Sequence, residues 1–357
     1  MPQPTIIWDI GTAYDFFISL VVLHNPDRVG LRGAWAAGVR SRLPHTEREF
    51  LQDVMEFLFS PLGWIHQLPE PKNAQNLLLT LAAIPPAERL ATIDLNPTDR
   101  HGYNTIFQKV REQGSWSQAD YKAITTIIEK TLGNRLSTQE KKKRTLSVQR
   151  ELTWWTRAEE FGEKFLAAAQ AYYEVFFAED EARIEQTLQE AQARAQELAH
   201  SLPFPDLLEE LSQGVHLERI WQAEEVVLTP TFWGSPLLHI SDVTTTRTVI
   251  AYGGRPVTAS IVPGEMIPDA LFQALKALAD PTRLRILRYL MESPLTPAEL
   301  ARRLRLRPPT VIHHLHILRL AQLVQLRIGE QGRQYAARPD SVRATFGALG
   351  KFLETPF

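Results

Sequence analysis

The chain has 357 residues, 44% of them hydrophobic, with 39 Lys and Arg against 41 Asp and Glu for a formal charge of −2. That length suits two or three domains, and the composition suits packed cores rather than a disordered or fibrous chain. The absence of cysteine excludes disulfides, thiol nucleophiles and thiolate metal ligands, and no run of ~18 uncharged apolar residues offers a membrane span.

MPQPTIIWDI does not read as a signal peptide, and a cytoplasmic location is expected. From about Tyr14 to Ala199 apolar residues recur every three or four positions. DFFISLVVLH, EREFLQDVMEFLFS, NAQNLLLTLAAI, PAERLATIDL and QADYKAITTIIEKTLGN read as helices, and a longer helical run extends from roughly Leu152 to Leu198. Pro61, Gly63, Pro69, Pro71, Pro85, Pro86, Pro97 and Gly114 punctuate these segments and give compact connections. Within the long run, Ile184, Leu188, Ala191, Ala195 and Leu198 alternate spacings of four and three, which fits a short coiled-coil seam or a helix packed on its own domain. Lys141, Lys142, Lys143 and Arg144 form a basic run that reads as a solvated stretch, with contact to DNA flanks as the alternative. Between Glu225 and Val262 the pattern changes. EEVVLTPTFW, PLLHISDV, TTRTVIAYGG and PVTASIV are short, β-branched and aromatic, and predict a small antiparallel sheet.

From Pro268 the rhythm is helical again. Leu271, Leu275 and Leu278, then Leu284, Leu287 and Leu290, define two amphipathic helices jointed at Asp280-Pro281. In LTPAELARRL, Thr296 stands before Pro297 and three residues ahead of Glu299, the spacing of a capping box that satisfies free amide donors at a helix start. RPPTVIHHLHILRLAQLV places Val311, Leu315 and Leu318 on one face and turns Pro309, Ile312, His313 and His316 to the other. QLVQLRIGEQGRQYAARP alternates about Gly329 to Gly332 as a hairpin does. Helix, capped helix, second short helix and hairpin in this order read as a winged helix-turn-helix.

ALADPTRLRILRYL, LTPAELARRL and PPTVIHHLHILRLAQLV together resemble the DNA-binding core of ArsR-type transcriptional regulators, over about a fifth of the chain. The resemblance implies a sequence-specific regulator of transcription, a repressor in the usual case, binding double-stranded DNA as a homodimer on an inverted repeat. Ile312 departs from the small hydroxyl residue usual at its position, and Gln322 from the usual glycine before the wing, so operator sequence does not transfer from relatives. The strands VVLTPTFWG and TVIAYGGRP, following a large helical region, resemble a subgroup of such regulators with a strand insert. The expected fold is therefore mainly α with a small antiparallel β element: a helical effector or dimerisation domain over 1–222, a β segment over 223–264 and a winged helix with a C-terminal helix over 265–357.

Charge points to the same partner. Residues 265–357 hold 14 Lys and Arg against 8 Asp and Glu although the whole chain is slightly acidic. Arg302, Arg303, Arg305, Arg307, Arg319, Arg327 and Arg333 are the expected phosphate contacts, which fix register without reading sequence. Pro309, Thr310, Ile312, His313 and His316 are the expected base and groove contacts. In the family the first and last helices of this domain pair across the twofold, which implicates Leu271, Phe272, Leu275, Val342, Phe346 and Leu349; packing of that stripe on the protein's own helical domain is the alternative. A metal site is not expected, because adjacent histidines point to different sides of a helix, with His314 beside the buried face, and only Glu299 is available on the preceding helix.

For the large N-terminal region three readings stand: a sensor of an unidentified small-molecule effector or protein partner, an extension of the dimer or the DNA footprint with no ligand, and an enzyme with a DNA-binding tail. The third is the weakest. Asp9, Asp15, His24, His45, His66 and His101 are chemically capable but no catalytic motif connects them, and no cofactor is expected.

Overall fold

The computed structural model describes residues 3–26, 29–31, 33–95, 98–99, 102–132, 138–212, 214–217, 223–329 and 332–354. At the centre of the N-terminal part lies the helix Thr12–His24. Phe16, Phe17, Ile18 and Leu20 are all buried, because a helix that is apolar on every side is stable only inside a core. The helices Ala74–Ala83, Pro86–Asp94 and Ala158–Tyr172 pack about it. A side chain at Gly162 would overlap the Pro86 carbonyl, so the close crossing of two of these helices requires glycine there. Buried Arg89 donates to the carbonyls of Leu81, Ile84 and Gly162 at 2.9–3.0 Å, which satisfies the open C-terminal end of Ala74–Ala83.

The long helical run is not continuous. Thr138–Trp155 stops at Thr156-Arg157, and Ala158–Tyr172 passes through one π-helical turn, Tyr173–Phe177, into Ala178–Ser201. Ile184, Leu188, Ala191 and Ala195 are buried within this chain, so the spacing that fits a coiled-coil seam serves packing on the protein's own domain. The side chains of Lys141 to Arg144 lie outside the described residues, as does His101.

Among the described residues seven strands make two sheets. β1 (Thr5–Trp8), β3 (Glu225–Thr231), β4 (His239–Asp242) and β5 (Arg247–Gly253) form a sheet ordered β1-β3-β5-β4. β2 (Val215–Leu217), β6 (Val324–Gly329) and β7 (Gly332–Ala337) form the second, ordered β2-β6-β7. The mainly α fold holds, but the expected antiparallel β element needs correction. β3 is parallel to both β1 and β5, with Val227 beside Ile7 and Val249, and only β4 runs antiparallel, as an edge. The physical reason is burial on both faces. Val227, Val249 and Ala251 enter the large helical core, while Val226, Leu228, Ile250 and Tyr252 enter a second core with Phe204, Leu207 and Leu208 of the helix Phe204–Leu211. Strands covered on both sides read as unbroken apolar runs and are the ones that pair in parallel. Residues 223–264 thus share their cores with the helices before them.

The C-terminal unit has its own core, from Ala274 and Ala277 through Ile286, Leu300, Val311, Leu315 and Leu318 to Leu326 and Tyr335. Its helices are Asp269–Leu278, Pro281–Glu292, Pro297–Leu304, Pro308–Leu320 and Pro339–Glu354. β6 and β7 pair antiparallel from Val324↔Ala337 to Gly329↔Gly332, so the expected hairpin is present. Its tip, 330–331, lies outside the described residues. The parallel partner on its other edge, β2, with Val215 opposite Leu326, comes from the N-terminal part.

Candidate nucleic-acid interface

The interface is set by helix ends. Asp280 caps the second helix by accepting from Arg283 N at 2.9 Å, and the Arg283 guanidinium donates back to the carbonyls of Ala277 and Lys276 at 2.7 and 2.9 Å. One residue pair therefore closes the joint between two helices from both sides. The Thr296–Glu299 capping box forms as its spacing requires. Glu299 Oε2 accepts from Thr296 N and Oγ1, both at 2.7 Å, and Glu299 N donates to Thr296 Oγ1 at 3.2 Å. Those bonds hold the Glu299 carboxyl below its ordinary pKa. Arg305 ends the helix with φ 57°, and Pro308 and Pro309 begin the next, since proline lacks only an amide that a helix start leaves free.

On Pro308–Leu320, Val311, Leu315 and Leu318 are fully buried. Pro309, Thr310 and His313 are exposed and Ile312 and His316 are part-exposed, so these five form the outer side of the helix. His314 turns inward: its side chain is 14% exposed, Nδ1 lies 4.0 Å from Asp280 Oδ1, and burial lowers its pKa. The three histidines do not converge. Among the described residues no group of three or more His, Cys, Asp or Glu side chains is placed to hold a metal ion.

Arg302, Arg303, Arg305 and Arg307 are exposed at the turn leading into that helix, and Arg327 and Arg333 are exposed on the wing. Arg303 also lies 5.6 Å above the Tyr289 ring. Arg319 is a correction: it is only part-exposed, burial lowers its pKa, and Tyr335 and Arg333 of β7 are its charged or titratable neighbours. Its guanidinium lies near β7 and is less open to a phosphate than those of the six exposed arginines. Leu271 is a second correction. It is 5% exposed and so is spent inside this chain, leaving Phe272 and Leu275, both part-exposed, on that helix. On the last helix Phe346 and Leu353 are 59% and 72% exposed, Leu349 is part-exposed, and Val342 packs against the winged-helix core.

The polar residues singled out in the N-terminal part fall into separate places. Asp9, at the carboxyl end of β1, lies with His66, Lys72 and Tyr14. His66 Nδ1, Lys72 Nζ and Tyr14 OH donate to its Oδ2 at 2.5, 2.6 and 2.8 Å. Burial raises the Asp9 pKa, but the bonds from His66, Lys72 and Tyr14 outweigh it and the net shift is downward. Asp15 accepts from the amides of Phe232 and Trp233 at 2.9 and 2.7 Å, and burial raises its pKa to about 7. His24 bonds the Leu20 carbonyl, and burial lowers its pKa to about 4. His45 stands on the surface beside Glu49.

An exposed helix face behind a capped turn, flanked by arginines and a two-stranded wing, defines a winged helix-turn-helix DNA-binding protein. Residues 280–325 match the family model described as "Bacterial regulatory protein, arsR family". NolR from Sinorhizobium fredii, known from a crystal structure, is 31% identical over 25% of this chain and 88% of its own, with a TM-score of 0.21. No curated protein matches. The chain belongs to the ArsR family and is a DNA-binding transcriptional regulator.

Proposed function

We propose that the protein is a homodimeric repressor that binds an inverted-repeat operator in the cytoplasm, with its N-terminal region sensing an effector. The carrying observation is the exposed face of Pro309, Thr310 and His313, with Ile312 and His316 beside it, bracketed by six exposed arginines. A helix face of this kind reads base edges while the guanidinium groups hold phosphates. Dimerisation is supported by Phe346 and Leu353, large apolar side chains left in solvent on the last helix, which packs beside the helix carrying Phe272 and Leu275. The cytoplasmic assignment draws on DNA as the partner; among the described residues no helix is long and apolar enough to cross a membrane. We read the Asp9 cluster as structural rather than catalytic, because its four polar groups satisfy one another around a single oxygen.

Selection of bound fragments from a genomic library with the full-length protein tests this reading. Recovery of a short inverted repeat is expected, and replacing His313 and His316 with Ala should lower preference for that repeat far more than affinity for random DNA. Binding without a shared motif would refute sequence-specific regulation.

A further inference from the structure

A small cleft of about 30 Å3 lies where the N-terminal region meets the winged helix, room for about two waters. Gly30, Arg255 and Ile261 stand on one side, and Asp269, Gln273 and Gln322 on the other. Arg255 is the unusual group. Its side chain is 9% exposed, and Asp269 Oδ2 lies 3.7 Å from its NH1, too far for a hydrogen bond. NH2 reaches the Ser235 carbonyl only at 3.4 Å, and NH1 is buried with no hydrogen-bond partner. Asp269 Oδ2 is engaged by Ile261 N at 2.6 Å. A buried guanidinium with an unmade bond is costly, and burial lowers its pKa to about 10.

We propose that this cleft is the effector site and that it takes a small carboxylate anion, which bonds the Arg255 guanidinium in place of Asp269. The proposal rests on the regulator reading above. Carboxylate is favoured over phosphate for two reasons: a planar carboxylate matches the guanidinium fork, and Asp269, 3.7 Å from Arg255, disfavours a dianion more than a monoanion. The cleft is too small to admit the anion without parting Asp269 from Arg255, so the ligand binds the parted state and shifts the population towards it.

The wall that moves carries the reading head. Asp269 begins the first helix of the winged domain, and Leu320, the last residue of the recognition helix, and Gln322 also line the cleft. Beside them Gln273 Nε2 donates to the Gly30 carbonyl, a second tie across the same seam. Parting the seam pivots the winged unit, recognition helix and wing together, about its β2–β6 attachment to the N-terminal part. DNA release follows from that change of angle.

Calorimetric titration of the full-length protein with sodium benzoate, sodium acetate and inorganic phosphate, at ionic strength matched with sodium chloride, tests the site. Benzoate should bind in the millimolar range, about tenfold or more weaker to Arg255→Gln, and about tenfold tighter to Asp269→Asn, which lacks the competing carboxylate. Equal benzoate binding by wild type, Arg255→Gln and Asp269→Asn, or no binding by any of them, overturns the site. Phosphate binding more tightly than benzoate overturns the ligand class. DNA affinity measured with and without benzoate separates the two readings. A protein that binds DNA but not benzoate refutes only this inference, whereas one that binds no DNA even without benzoate refutes the regulator reading.

Discussion

Arg327→Ala and Arg333→Ala give the sharpest check on how the wing is used. In the β6–β7 register Arg327 faces Gln334 and Arg333 faces Ile328, so the two guanidinium groups leave opposite faces of the ribbon. Both are exposed, and each is free to meet a separate phosphate. Neutralising one phosphate contributes about 0.9 to the slope of log Kobs against log salt, or about 1 kcal/mol at 0.1 M salt. A homodimer doubles this: each substitution should flatten the slope by about 2 and weaken binding by roughly 30-fold to 100-fold near 0.1 M. The double variant should be close to additive because the two side chains share no partner. Fluorescence anisotropy with a selected fragment and a random duplex, between about 50 and 300 mM KCl, reads both quantities. Arg150→Ala, which removes a surface partner of Glu56 far from the wing, serves as the control. Loss of affinity should be equal on the two duplexes. A slope unchanged in both wing variants, or a loss confined to the selected fragment, would refute the assignment of these arginines to phosphates.

Phe346→Asp should weaken self-association by about a hundredfold or more, since each protomer loses an apolar side chain worth roughly 1.5–3 kcal/mol when buried; sedimentation equilibrium checks this, and an unchanged dimer would move the interface elsewhere. Gln322 sits at φ 59°, so Gln322→Gly should stabilise the protein by roughly 0.5–1 kcal/mol, seen as a higher urea midpoint. Burial lowers His24 and His239 from 6.5 to about 4. Unfolding restores ordinary basicity, so their stabilising contribution is whole above pH 6.5 and is lost as pH falls towards 4, by up to about 3 kcal/mol each. Asp15, raised from 3.8 to about 7, acts in the opposite sense, gaining stability as pH falls through 7. The net acid loss should shrink in His239→Gln, as measured by urea midpoints between pH 7.5 and 5.

Much of the winged helix was legible because its determinants are local. The Thr296–Glu299 box, the prolines at 297, 308 and 309 and the spacing of Val311, Leu315 and Leu318 act within a few residues of one another. The errors lie where partners are distant. Arg319 looks free on its own helix, and only the placement of Tyr335 on β7 shows that it is enclosed. β1 is four residues long, and its partner β3 begins at Glu225, so neither periodicity nor turn chemistry announces it. The parallel pairing leaves a sign, since VVL and TVIAY run apolar without alternation. Lys72 and Tyr14 carry no motif, and only the fold brings them to Asp9.

The fold ties the large N-terminal region to the DNA-reading unit at two places. β2 extends the wing by a third strand, Ile328 on that wing packs against the small core containing Phe204 and Val226, and the Asp269 and Gln273 contacts hold the first helix of the domain. The reading head is thus fixed at its wing and at its first helix by different parts of one scaffold. Because the recognition helix and the wing share one core, loosening only the second attachment would pivot them together about the first.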